Sequence, residues 1–132
     1  MKESIYKKSN WLSVNFKWEE CNKIKCYLDD KTLLVQFTTT ELDHHVANYI
    51  RENVDDIIMR KNIKNIIFDF HNIKFMDSSG IGVIIGRYKK IANIHGNVSV
   101  INMNPRVERV FNLSGMGKII KVCESYEDAI NS

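Results

Sequence analysis

Apolar side chains recur along this chain with two different periods, and the switches between them divide it into elements. Ile24-Lys25-Cys26-Tyr27-Leu28 and Thr32-Leu33-Leu34-Val35-Gln36-Phe37 flank Asp29-Asp30-Lys31. Two β-rich runs around so short a polar stretch predict a β-hairpin closed by a tight turn. From Asp43 onward, Val46, Tyr49, Ile50, Val54, Ile57 and Ile58 recur every three or four residues, one apolar stripe of a helix reaching about Arg60. Thr40 or Asp43 can cap that helix, and Glu41 and Asp43 suit the positive end of its dipole.

Ile63-Lys64-Asn65-Ile66-Ile67-Phe68-Asp69-Phe70 reads as a central strand covered on both faces. A second helix carries Ile81, Val83, Ile84, Ile85, Tyr88 and Ile91 from Ser79 to about Asn93, and Gly96-Asn97 ends it. Val98-Ser99-Val100-Ile101 is the next strand. Pro105 suits the first turn of a third helix, bearing Val107, Val110, Phe111 and Leu113, because the proline's missing N–H costs nothing there. Ile119-Ile120-Lys121-Val122 gives a last edge strand, and Ser125 to Ile130 a final helical turn or two. Strands alternating with helices predict an α/β fold, a mixed and mostly parallel sheet of four to five strands packed with about four helices.

The first 22 residues stand apart as an N-terminal extension to a domain spanning 23–132. Leu12, Val14, Phe16 and Trp18 alternate with Ser13, Asn15 and Lys17, which suits an added edge strand, while terminal segments also serve as flexible leaders. A chain lacking residues 1–22 is expected to fold.

With 132 residues, 44% of them apolar, the chain has room for one core. Nineteen Lys and Arg against 16 Asp and Glu leave a net charge of +3, spread without a single-sign block. That spread argues against nucleic acid as a partner. Charges interrupt Met1 to Trp11 where a signal peptide needs an apolar stretch, and no apolar run approaches the roughly 18 residues of a membrane span. No membrane partner is expected. Cys21, Cys26 and Cys123 form no disulfide framework, which suits a cytoplasmic protein. Cys21 and Cys26 lack the second pair a zinc site requires.

Three motifs invite chemistry. Asp43-His44-His45 suggests a metal-dependent phosphoesterase, yet only His71 and His95 remain to complete such a site, and polar residues in an exposed first turn account for the triplet. Gly80, Gly82 and Gly86 follow a strand, but Ile85 stands where the dinucleotide pattern needs glycine, and no phosphate loop is spelled anywhere. Gly82 and Gly86, four apart, are expected to let the helix lie close against a neighbour. Ser78 and Ser79 lack the motif of a serine nucleophile and a histidine at a diagnostic spacing. Asp77-Ser78-Ser79-Gly80 reads as a helix start capped by Asp77 or Ser78. No catalytic residue, metal or cofactor is expected.

Glu41-Leu42-Asp43-His44-His45 and Phe75-Met76-Asp77-Ser78-Ser79-Gly80-Ile81-Gly82, continuing through Gly86-Arg87-Tyr88-Lys89, resemble the two signature stretches of STAS-domain anti-sigma factor antagonists. Asn104 to Gly115 resembles that family's third helix. The likeness covers residues 23 to 130, and its D-H-H and G-R-Y-K elements are closest to the sporulation branch; a general-stress or stressosome-type relative is the alternative. Thr40 departs from that branch, which has glycine before E-L-D, and residues 1–22 have no counterpart.

The resemblance implies a binding module, not an enzyme, in which Ser78 is phosphorylated by a partner that is both anti-sigma factor and serine kinase. The unmodified form would bind that kinase and free the sigma factor, phosphorylation would end the binding, and a metal-dependent serine phosphatase acting on the phosphorylated form would restore it. It further implies partner-binding roles for Glu41, Asp43, Met76, Asp77, Ser79 and Gly80.

Overall fold

A computed structural model describes residues 23–131 and the backbone of Leu12 and Ser13. Strands β2 (Ile24–Asp29) and β3 (Thr32–Phe37) pair antiparallel with Asp29 opposite Thr32, so the turn is Asp30-Lys31. Asp30 takes a left-handed φ of 53°, a conformation its short polar side chain tolerates. Strand β1 (Leu12–Ser13) pairs antiparallel with β2, Leu12 opposite Leu28. The rest of the Leu12 to Trp18 alternation lies outside the described residues.

Next come β5 (Asn65–Asp69), β7 (Asn97–Ile101) and β8 (Lys121–Cys123), and the sheet order is β1-β2-β3-β5-β7-β8, parallel from β3 to β8. This is the α/β architecture the alternation of elements predicts: five strands of a mixed sheet, with β1 as a two-residue addition at one edge. The last strand is displaced from its expected place. Ile120 is buried in the turn before it, and β8 begins at Lys121.

The first helix runs as α1 (His44–Tyr49), a π turn (Ile50–Val54) and α2 (Asp55–Arg60). Its buried residues explain the π turn. Val46, Ile50 and Val54 are spaced by four and four, more than an α-helix of 3.6 residues per turn keeps on one line, and a wider turn restores their alignment. Helix α3 (Ser78–Ala92) and helix α4 (Pro105–Leu113) complete one layer over the sheet, with α4 capped by Asn104. Their buried residues join Leu33, Val35, Phe68 and Val100 in the main core, where Phe37 stacks at 6.0 Å on Phe68 and meets Phe70 edge-on at 5.1 Å. Helix α5 (Tyr126–Asn131) lies on the other face, where Tyr126 packs with Leu34, Ile67 and Ile101.

Gly96, not Gly82 or Gly86, lets α3 leave the sheet closely: a Cβ there would collide with the carbonyl oxygen of Lys64. A Cβ on Gly82 or Gly86 would meet nothing within 4 Å, which corrects the packing role expected of them. Both sit on a face of α3 that no described element covers. No helix among the described residues is long and apolar enough to cross a membrane.

Candidate functional site

In the parallel part of the sheet, every strand ends on the same side, so β3, β5 and β7 deliver the starts of α1, α3 and α4 to one edge of the molecule. At that edge the chain makes a second, smaller sheet. Strands β4 (Glu41–Leu42) and β6 (Phe75–Met76) pair in parallel, Glu41 opposite Phe75 and Leu42 opposite Met76. The backbone N–H groups of Lys74 and Phe75 donate to the carbonyl of Thr40, at 2.7 and 3.3 Å. Two segments over thirty residues apart in sequence are thereby locked side by side.

The ladder alternates. Leu42 and Met76 point inward and are buried, while Glu41 and Phe75 are exposed. Each strand then runs directly into a helix whose cap is an aspartate. Asp43 accepts from the N–H groups of His45 and Val46 at 3.0 and 3.2 Å, and Asp77 accepts from Ser79 and Gly80 at 2.8 and 3.3 Å. Of the two pairs of capping candidates in the sequence, Asp43 and Asp77 hold the positions. The Val46 N–H bond holds the Asp43 carboxyl below its ordinary value of 3.8, against a smaller opposing effect of burial.

Ser78 is the first residue of α3. It is exposed, and its hydroxyl makes no hydrogen bond to the described residues, because Asp77 already satisfies the helix start. Ser79 is half-buried beside it. Gly80 is buried, and its role is steric: a Cβ would lie 2.7 Å from Met76 Cγ, 2.8 Å from Leu42 Cγ and 2.9 Å from the Leu42 carbonyl oxygen. Of the expected partner-binding residues, the structure brings Glu41, Asp43, Asp77 and Ser79 to one surface around Ser78. It places Met76 and Gly80 beneath that surface, where they seat α3 on the ladder.

Below the site, α3 is tied to the first helix by Arg87, which is only 6% exposed. Its Nε stands 2.9 Å from Asp55 Oδ1, and Lys90 Nζ 3.9 Å from the other carboxylate oxygen. The Arg87 N–H is not aimed along the short contact, so the pair attracts as charges without a directed hydrogen bond. Burial lowers the Arg87 pKa, and the Asp55 charge opposes that shift. Arg87 was legible in the sequence only as part of a motif, and no local signal pointed to Asp55, 32 residues away. His44 and His45 lie against each other with ring centroids 3.9 Å apart, and no group of three or more metal-binding side chains occurs among the described residues.

The family model for the STAS domain matches residues 25–129, nearly the whole described chain. The chain belongs to the STAS family. An anti-sigma F factor antagonist from Paenibacillus polymyxa is 38% identical over 100 residues, which is 76% of this chain and 83% of that protein. Among solved structures, the anti-sigma factor antagonist SpoIIAA in its unphosphorylated form superposes with a TM-score of 0.73 at 30% identity, over 82% of this chain and 93% of the other. The Bacillus cell fate determinant SpoIIAA in its phosphorylated form gives 0.66 at 29% identity, over 82% and 96%. The STAS assignment agrees with the fold and with the signature stretches, which form the paired ladder and the two capped helix starts.

Proposed function

We propose that this STAS protein is an anti-sigma factor antagonist controlled by phosphorylation of Ser78. Unmodified, it binds an anti-sigma factor that is also a serine kinase and so releases a sigma factor, in keeping with the sporulation branch it resembles. Phosphorylation ends the binding and a serine phosphatase reverses it.

The observation that carries this reading is the placement of Ser78: exposed, unengaged, and first in a helix, with Asp43, Glu41 and Asp77 on the same surface. A phosphate there adds a charge of about −1.5 to −2 and three acceptor oxygens, which the helix start accommodates without unfolding the domain. The same charge, joined to three carboxylates, makes the surface strongly negative. A partner face fitted to a neutral hydroxyl then meets both overlap and unpaired charge.

Incubation with the purified kinase and ATP, read by intact mass and peptide mapping, tests the reading. The expected result is one phosphate on Ser78 and loss of binding by the modified protein. Phosphate on another residue, or equal binding by both forms, overturns it.

A further inference from the structure

We propose that Phe75 and Arg106 form a cation–aromatic contact beside the switch that receives a carboxylate side chain of the anti-sigma factor; this rests on the partner reading above. Phe75 is 45% exposed, a large aromatic side chain left at the surface three residues before Ser78 while its neighbour Met76 turns inward. The Arg106 guanidinium carbon lies 4.8 Å from the centre of its ring. That is within the range of about 6 Å at which a cation and a ring attract.

Neither helix stability nor internal pairing accounts for this arginine. Arg106 is the second residue of α4, and a cation in the first turn opposes the helix dipole. No carboxylate among the described residues lies within ion-pair distance of it. The ring attracts the cation but accepts none of the forked N–H donors that fit a carboxylate.

The backbones that carry both partners are also held in place. Phe75 is fixed by the ladder to Glu41. Asn104 joins the two elements: its side-chain oxygen accepts from Val107 N–H at 2.8 Å, and its amide donates to the carbonyl of Ile73 at 3.1 Å. A preorganised pair costs little to order on binding.

The charges select the kind of ligand. Glu41 lies beside Phe75 across the ladder, yet it forms no ion pair with Arg106, so an acid, a ring and a cation follow one another over the surface. A polyanion such as nucleic acid would be repelled by Glu41, Asp43 and Asp77. A protein face with cations opposite those acids and one carboxylate opposite Arg106 complements the whole pattern.

The test titrates the intact chain and the variants Phe75→Ala, Arg106→Gln and Arg106→Lys against purified anti-sigma factor, at low and high salt. Phe75→Ala and Arg106→Gln are each expected to weaken binding about tenfold, and together little more than either alone, since they remove one unit. Arg106→Lys should retain part of the affinity, because the charge stays while the fork is lost. Melting temperature should not change, and Ser78 should be phosphorylated as fully as in the unaltered chain once the kinase is saturating, with slower modification below saturation. If the unaltered chain binds and all three variants bind within about twofold of it, this proposal is overturned and the partner reading stands. If the unaltered chain does not bind, both fall together.

Discussion

Gly80 and Leu42 approach so closely that α3 and the β4–β6 ladder leave no room for a Cβ between them. Any side chain at position 80 would meet both the Leu42 side chain and its carbonyl oxygen at under 3 Å. Gly80→Ala is therefore expected to destabilise the protein by about 1–3 kcal/mol, lowering the melting temperature by several degrees. Gly82→Ala and Gly86→Ala should do the opposite, each raising stability by about 0.5–1 kcal/mol, because they meet open space and alanine is the better helix former. Thermal melting of the three variants separates the two kinds of glycine.

Capping belongs to Asp77, and the proposed switch to Ser78. Asp77 bonds the helix start, so Asp77→Ala should cost about 0.5–2 kcal/mol in denaturant unfolding. Ser78→Ala should change stability by less than about 0.5 kcal/mol, since its hydroxyl bonds nothing described. A large loss of stability on Ser78→Ala would return the capping role to the serine.

Arg87 is buried with its charge, and Asp55 is the compensation nearest to it. Asp55→Asn should destabilise by roughly 1–3 kcal/mol, less than for a fully enclosed pair because water still reaches Asp55. Arg87→Met fills similar space without a charge and should cost less than Asp55→Asn. Urea unfolding of both variants checks the order.

The Asp43 cap also predicts a dependence on pH. Its folded carboxyl is held below 3.8 chiefly by the Val46 N–H, so the charged form is favoured by folding. That contribution is fully present above the unfolded value, starts to fade near pH 3.8, and is lost as pH falls through the lower folded value. Asp43→Asn keeps a neutral acceptor that does not titrate. The stability difference between the original chain and Asp43→Asn, measured by urea unfolding, should favour the original near pH 7 and shrink in acid.

The large elements were legible because their signals are periodic or punctuated: the hairpin around Asp30, the stripe from Val46 to Ile57, the proline at the start of α4. The β4–β6 ladder was not, because two residues per strand carry no period, and Leu42 and Met76 read as loop positions between clearer elements. The π turn had a trace in the repeated spacing of four, which the ordinary helical pattern absorbs without notice. Glycines on one helix look alike in sequence, and only the neighbours that the fold brings to Gly80 and Gly96 distinguish them from Gly82 and Gly86. Ser78 and its acidic surround were readable from the signature stretches. Arg106 was not, because its meaning depends on a ring 31 residues earlier.

The inward and outward alternation of the ladder has a consequence for how such proteins diverge. Leu42 and Met76 are buried under the ladder, while Glu41 and Phe75 form its outer face. On the partner reading proposed above, substitutions at the outward positions would redraw partner choice while the buried pair keeps the serine in register. A duplicated copy would then need changes only at these outward positions to meet a different partner.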